Sequence, residues 1–177
     1  MADVFISFIH EEVEWAQSVQ LFITTVLNYK SMPFMSSDKF QIYAGEKWLD
    51  RIMEELEGAK VVLLMLSKKS VERPWVNFEA GAAWTRNIVT IPICFQGMRK
   101  GELPKPYSSL QAVDLDSRDD HEYLARSVAH HLDLQKPFTR GLRGMFKDKA
   151  SEELAERQER AYQELDVDLR RLGVSKR

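Results

Sequence analysis

The uninterrupted apolar run VVLLML at residues 61–66 constrains the fold of this chain more than any other feature. It shows no alternation of polar and apolar residues, so it predicts a strand that is covered on both faces. Strands of this kind occur at the centre of parallel sheets that carry helices on both sides. We therefore place residues 61–66 in the middle of a parallel sheet and interpret the rest of the chain around it.

Strand-like and helix-like segments alternate on either side of this run. Apolar stretches predict further strands at residues 3–8, 32–35, 88–95 and 112–115. Helical spacing of apolar residues predicts helices at residues 11–28, 45–59, 74–84 and 117–132. This order predicts an α/β fold with a flavodoxin-like, doubly wound, five-stranded parallel sheet. Pro92 cannot donate to a ladder, so the strand that contains it is predicted to lie at an edge or to carry a bulge.

The predicted sheet and its helices are complete by residue 134, which indicates one domain over residues 1–134. Residues 135–150 begin with QKPFTRGLRG, whose Pro and Gly residues predict a linker. Residues 151–177 predict a charged, amphipathic C-terminal helix with a thin apolar stripe. Three alternatives stay open for this helix: docking on the domain, contact with another chain, or the remnant of a truncated or fused partner domain.

Composition limits the classes of function. A chain of 177 residues that is 44% hydrophobic can bury one full core. Its formal net charge of −2 argues against non-specific nucleic-acid binding, so we expect no direct nucleic-acid partner. The single cysteine, Cys94, excludes an internal disulfide and fits a reducing compartment. We expect a cytoplasmic protein without a membrane partner, because the sequence shows no leader and no apolar run long enough to span a bilayer.

A carboxylate stands inside the apolar helix that is predicted to begin at Pro74. The residues three and four positions from Glu79 are apolar or aromatic, so none of them can form an ion pair with it. Glu79 also lies beyond the first helical turn, where the favourable effect of the helix dipole on an anion fades. The alternative is a position at the rim of the domain, where the carboxylate reaches water.

Trp75 stands one helical turn before Glu79, so the indole and the carboxylate can face one cleft. A lone helical Trp is more often part of the core. Together, a flat apolar ring and an anion suit a ligand with an aromatic ring and a sugar that develops positive charge as its glycosidic bond breaks.

The segments DVFISF, AGEKWLDRI, VVLLMLS, WVNFE and IVTIPI follow the same order as in TIR (Toll/interleukin-1 receptor) domains. Over residues 3–134 the chain resembles bacterial TIR domain proteins of the NAD-cleaving type. Many members of this family cleave NAD⁺ between nicotinamide and ribose, with the Glu of the Trp-x-x-x-Glu motif as catalytic residue. The resemblance implies that Glu79 is catalytic and that NAD⁺ is the substrate, with no further cofactor and no metal.

The resemblance and the expected ligand position at the carboxyl ends of the strands together indicate substrate-binding candidates. They are Trp75, Phe8, Ile9, His10, Trp48, Ser36 and Lys39. His10 has the alternative of a solvated residue or a cap for the next helix. Trp48 has the alternative of anchoring its helix in the core. Family members often carry an arginine or an aromatic residue where Phe8, Ile9 and His10 stand. The resemblance therefore indicates the positions of the substrate contacts here better than their residue types.

Residues 36–45 resemble the loop through which family members associate with one another, although an ordinary surface connection is the alternative. Our first hypothesis is an NAD⁺ glycohydrolase that forms nicotinamide and ADP-ribose, or a cyclic ADP-ribose isomer. By resemblance it serves antiphage defence or virulence signalling, with an effector or sensor domain as a further partner. The second hypothesis is a non-catalytic TIR adaptor that acts through TIR–TIR self-association.

Overall fold

The computed structural model of the chain describes residues 1–36 and 47–135, in which strands and helices alternate. The strands are β1 (Val4–Ser7), β2 (Phe34–Met35), β3 (Val61–Leu66), β4 (Val89–Cys94) and β5 (Val113–Asp114). The α-helices are α1 (Val13–Val26), α2 (Trp48–Gly58), α3 (Pro74–Thr85) and α4 (Arg118–His131). A short 3₁₀ helix at His10–Glu12 joins β1 to α1.

The five strands form one sheet in the order β2-β1-β3-β4-β5, and every neighbouring pair is parallel. The predicted doubly wound, five-stranded sheet is confirmed. β3 lies at its centre and all six of its residues are buried, as expected for an apolar run without alternation. The observed strands are shorter than predicted at several ends, because the apolar pattern continues beyond the last paired residue.

The prediction of an edge strand or a bulge at Pro92 is wrong. β4 lies between β3 and β5, and its pairing with β3 is continuous from Val89 to Cys94. The carbonyl oxygen of Cys94 accepts from the Leu115 N–H at 2.9 Å, so Cys94 faces β5, and Pro92 two residues earlier faces the same way. β5 pairs with β4 only from Ile93 onward. The missing N–H of Pro92 therefore points past the beginning of β5 and removes no bond of the ladder.

The helices cover the sheet with small and branched apolar residues. α3 buries Val76, Ala80 and Ala83 in the same apolar cluster as Phe5 of β1 and Leu64 of β3. α2 joins this cluster through other apolar residues, whereas α1 and α4 contact each other. α3 is thus held directly against the two central strands, which fixes where its polar side chains can point.

Three predicted segments lie outside the described residues. They are most of the loop at residues 36–45, the linker at 135–150 apart from its first residue, and the helix at 151–177. Within the described ranges, no helix has the length and apolar character needed to cross a bilayer.

We predict that a shortened chain lacking residues 148–177 keeps a cooperative thermal unfolding transition. The sheet and the four helices that cover it lie within residues 1–135, so the core does not require the removed part. Circular dichroism at increasing temperature measures this. A matched shorter chain ending at residue 117 should lose the transition, because it lacks α4 with its buried Leu124 and Val128. Loss of the transition in the first variant would show that the C-terminal segment belongs to the core.

Candidate active site

Glu79 occupies the buried stripe of α3, which begins at Pro74. Pro74 suits the first helical position because its missing N–H would have no helical acceptor there. Glu79 then follows Val76 and precedes Ala80 and Ala83 on the face that packs on the sheet. Its exposed fraction is 0%. The alternative of a rim position that reaches water is therefore wrong.

Two serines from neighbouring strands hold this carboxyl group. Ser7 Oγ donates to Glu79 Oε2 at 2.5 Å, and Ser36 Oγ donates to the same oxygen at 3.2 Å. Ser7 ends β1 and Ser36 follows β2 directly, so both lie where parallel strands end on one edge of the sheet. Both serines are buried. Ser36 is thus a partner of Glu79, and Ser7 is a site residue that the sequence reasoning missed.

Burial dominates the ionisation of Glu79. Loss of solvent raises its pKa to about 8, whereas Ser7, Ser36 and Trp75 favour the charged form without offsetting that loss. Within the described residues, Glu79 Oε1 and the nearby Trp75 Nε1 are both buried without a hydrogen bond of ordinary geometry. Glu79 is therefore mostly neutral at pH 7, and one of its buried oxygens has no hydrogen-bond partner among the described residues.

An open cavity of about 520 Å³ lies at the carboxyl ends of β1 and β3. Its lining residues come from the segment after β1 and from the start of α2 and of α3. They are Phe8, Ile9, His10, Glu11, Trp48, Arg73, Pro74 and Trp75. The order of the strands reverses between β1 and β3, and ligands of doubly wound sheets bind at this switch point. Glu79 does not line the cavity.

Aromatic rings form one wall of the cavity. The ring centroids of Trp48 and Trp75 lie 4.2 Å apart at an interplanar angle of 32°, and Phe78 follows at 5.3 Å from Trp75. Trp48 is 45% exposed, so the alternative in which it anchors α2 in the core is wrong. Trp75 is half-buried and packs on the core below it. Because Trp48 is half exposed, this stack offers an apolar ring on which an aromatic ligand can stack.

Two charged residues, Glu11 and Arg73, also line the cavity. Glu11 Oε1 accepts from Arg73 Nη2 at 3.0 Å and lies 3.3 Å from Lys69 Nζ. A hydrogen bond from its own backbone N–H and one from Lys69 lower the pKa of Glu11, so this carboxylate is ionised at neutral pH. The sequence patterns did not indicate these residues, although Arg73 stands just before Pro74 at the predicted start of α3.

A second buried carboxyl group, that of Glu12, connects the two segments that carry Glu11 and Arg73. Ser67 Oγ donates to Glu12 Oε1 at 2.5 Å, and Ser67 begins the loop after β3. Burial raises the pKa of Glu12, while hydrogen bonds from Ser67 and Ser70 act against that rise. The 3₁₀ helix at His10–Glu12 is thereby joined to residues 67–73, so the segments that carry Glu11 and Arg73 are fixed to each other.

The structure brings most of the predicted site residues together. Phe8, Ile9, His10, Trp48 and Trp75 line the cavity, with His10 exposed and Phe8 and Ile9 buried. Ser36 lies with Glu79 in the core, and Lys39 lies outside the described residues. In the described part of the chain, no group of three His, Cys, Asp or Glu side chains is placed to hold a metal ion.

A flavodoxin-like parallel sheet with a buried carboxyl group beside the β1/β3 switch point defines a class of α/β domain with a ligand site at one edge. The family model described as the TIR domain matches residues 4–128. The chain therefore belongs to the TIR domain family, as its motifs predicted. No curated protein sequence matches the chain significantly.

Two solved structures that resemble this chain come from animals. The TIR domain of the Toll-related receptor TRR-2 from Hydra magnipapillata is 14% identical with a TM-score of 0.60, covering 75% of this chain and 99% of that one. A metazoan TIR-STING receptor from C. gigas, solved with 2′,3′-cGAMP, is 21% identical with a TM-score of 0.55 over 72% of this chain. The match spans 39% of the length of that receptor. At these identities the likeness shows the fold alone.

Proposed function

We propose that the protein is an NAD⁺ glycohydrolase and that Glu79 is its catalytic residue. The observation that carries this proposal is a fully buried carboxyl group with no cationic partner among the described residues, next to a cavity walled by stacked Trp rings. Burying the charged form of an ionisable group in a folded protein costs on the order of several kcal/mol, unless the group is paired with an opposite charge. A residue that lowers stability in this way is a good candidate for a functional role.

In the proposed reaction, the bond between ribose C1′ and the nicotinamide nitrogen breaks. Both electrons of that bond move to the cationic nicotinamide ring, which leaves as a neutral molecule, while positive charge develops on the ribose. The carboxylate of Glu79 stabilises this charge. Water then attacks C1′ and releases a proton, which gives ADP-ribose. Attack by an adenine nitrogen instead gives a cyclic isomer. Because the nicotinamide ring is already cationic and leaves as a neutral molecule, the proposed reaction requires no further cofactor and no metal.

The ionisation of Glu79 suits a switch between a resting and an active state. Without a ligand the carboxyl group is mostly neutral at pH 7, because its pKa is about 8. A cationic nicotinamide ring close to Glu79 lowers that pKa and favours the anion that the reaction needs. Ser7, Ser36 and Trp75 surround the group, so the substrate must displace part of this cover to reach it.

The remaining predicted residues have separate proposed roles. Trp48 and Trp75 stack on an aromatic ring of the substrate, and the segment from Phe8 to His10 forms the floor and rim of the cavity. Lys39 stays a predicted contact, since it lies outside the described residues. As the resemblance implies, we propose that cleavage serves signalling in antiphage defence or virulence, in the cytoplasm and with an effector or sensor partner.

A second function, that of an adaptor without chemistry, is favoured by one observation. Trp48, Leu49 and Phe78 are each close to half exposed, and Trp48 and Phe78 both contact the ring of Trp75. Exposed apolar patches mark surfaces for protein–protein contact. In an adaptor this patch would bind another TIR domain, and the cavity beside it would hold no substrate.

The experiment that separates the two functions is incubation of the purified protein with NAD⁺ at high protein concentration. Chromatography follows nicotinamide, ADP-ribose and cyclic ADP-ribose isomers. The enzyme hypothesis expects nicotinamide in an amount equal to the sum of linear ADP-ribose and its cyclic isomers. A protein that forms no nicotinamide, both alone and when fused to an oligomerising partner, is an adaptor. The ratio of the linear and cyclic products then identifies which nucleophile attacks C1′.

We predict that the rate of NAD⁺ cleavage per subunit rises with protein concentration, because by resemblance the sites of family members are completed between neighbouring copies. Assays across a roughly hundredfold concentration range, wide enough to populate a weak complex, measure this. Leu49→Ser on α2 should weaken the dependence. Leu21→Ser on α1, which is 60% exposed but stands apart from the patch in sequence and element, should leave it unchanged. A flat specific activity in the parent protein would contradict the prediction.

A further inference from the structure

The lining of the cavity beside Glu79 combines two kinds of chemistry. It includes the rings of Trp48 and Trp75 and the charged side chains of Glu11 and Arg73. Among the described residues that line the cavity, Arg73 is the one cation whose charge does not depend on pH in the physiological range. A ligand that stacks on the Trp48–Trp75 wall therefore has a guanidinium group within the same cavity.

The ion pairs of Glu11 show that Arg73 can change its partner at little cost. Arg73 Nη2 and Lys69 Nζ approach the same oxygen of Glu11, at 3.0 and 3.3 Å. All three side chains are about half exposed, so each pair contributes little to stability. When Arg73 leaves, Lys69 still neutralises Glu11. The cluster carries two positive charges and one negative charge, which leaves a net positive charge for an anion.

The backbone of Arg73 is fixed by hydrogen bonds, while its half-exposed side chain is paired with Glu11. The Arg73 N–H donates to Ser70 O at 3.0 Å, and its carbonyl oxygen accepts from the Asn77 N–H at 3.2 Å. Pro74 follows, and Trp75 stands two positions further along the same turn. The guanidinium group and the ring platform are thus presented from one short and rigid segment.

We propose that Arg73 is the residue that binds the diphosphate of a dinucleotide substrate and that it exchanges Glu11 for this anion on binding. A guanidinium group donates two parallel hydrogen bonds to phosphate oxygens, which makes arginine well suited to this contact. Glu11 competes with the phosphate for Arg73 in the free protein and thereby lowers affinity. This inference rests on the proposed function for the identity of the substrate, but its test does not require cleavage.

Binding of ADP-ribose and of adenosine, measured by titration calorimetry, tests the assignment, because the two ligands share the adenine nucleoside and differ in the diphosphate and second ribose. Arg73→Gln should weaken ADP-ribose binding about tenfold or more, as expected for a lost charge-assisted contact, and leave adenosine binding unchanged. Glu11→Gln should tighten ADP-ribose binding a few-fold, since no ion pair is broken.

The chain offers a matched control at the other end of α3. Arg86 Nη2 pairs with Glu57 Oε1 at 2.9 Å with similar exposure, and it does not line the cavity. Arg86→Gln should leave the binding of both ligands unchanged. Thermal unfolding of all the variants checks that they are folded, and Arg73→Lys, which keeps the charge but not the fork of donors, should bind with intermediate affinity.

Kinetics separate this inference from the proposed function. With NAD⁺ as substrate, Arg73→Gln should raise KM and leave kcat within about twofold, as for a lost binding contact that is the same in the ground and transition states. With nicotinamide riboside, which has no phosphate, it should change neither. If the parent protein binds ADP-ribose through Arg73 but cleaves no NAD⁺, the proposed glycohydrolase activity is wrong and this inference stands. Parent protein that binds ADP-ribose no tighter than adenosine, or an Arg73→Gln variant with unchanged affinity, would overturn the inference.

Discussion

Replacing Glu79 with glutamine is expected to reduce the rate of NAD⁺ cleavage by about 10²-fold or more, the usual effect of removing one electrostatic stabiliser of a transition state. Glutamine keeps the shape of the side chain and its hydrogen bonds from Ser7 and Ser36. It cannot carry the negative charge that stabilises the ribose in the proposed reaction. Because the interaction is made with developing charge, kcat should fall more than affinity for NAD⁺ changes.

Glu12→Gln is the matched control for this experiment. Glu12 is also a buried carboxyl group that accepts a hydrogen bond from a serine, and it does not line the cavity. It should therefore keep most of the activity. Release of nicotinamide, followed by chromatography under conditions where the parent is active, measures both variants. A Glu79→Gln variant that cleaves NAD⁺ as fast as the parent would show that the catalytic assignment is wrong.

Glu79→Gln is also expected to increase the free energy of unfolding at alkaline pH by a few kcal/mol, about the size implied by a pKa difference of several pH units. The pKa of Glu79 rises from 4.5 in an unfolded chain to about 8 in the folded protein. Between these values the folded state binds more protons than the unfolded state, so the free energy of unfolding of the parent falls as pH rises. Above pH 8 the full penalty of a buried anion is present. Glutamine does not titrate and escapes it.

Chemical denaturation of the parent and of Glu79→Gln at pH 5, 7 and 9 measures this effect. The difference in free energy of unfolding should be smallest at pH 5 and largest at pH 9. Glu54→Gln, which removes an exposed carboxylate from α2, should follow the parent at every pH. A difference between parent and Glu79→Gln that stays constant with pH would show that the carboxyl group is not protonated in the folded protein.

The sequence was sufficient to predict the fold because its strongest signals are local. An apolar run without alternation marks β3, and Pro74 together with the apolar spacing that follows marks α3. Pro92 misled the prediction, because a proline is tolerated inside a sheet when the neighbouring strand begins beyond it. That condition depends on the length of β5 and on which side of β4 each residue faces, and neither can be read from β4 itself.

The candidate site could be predicted only in part, because several of its contacts join residues that are far apart in sequence. Trp75 and Glu79 are related by one turn of a single helix, so their spacing identified them. Ser7 contacts Glu79 across 72 positions in sequence, and Arg73 contacts Glu11 across 62. Such pairs depend on the order and register of strands, which bring distant residues to the same edge of the sheet. A serine at the end of an apolar strand is a usable but weak signal for a partner of this kind.

The position of Glu79 also has a consequence for how this kind of domain can evolve. An ionisable side chain in the stripe of α3 lowers the stability of the alkaline folded state, whereas an amide or apolar residue would remove that burden. Substitution of Glu79 by an amide or a small apolar residue therefore moves the protein toward greater stability and away from the proposed chemistry, as is common for functional residues. A single exchange would convert a glycohydrolase into a scaffold that keeps its aromatic contact surface. Catalytic and non-catalytic versions of such a domain would then differ by one substitution, and only selection for catalytic activity would preserve the glutamate.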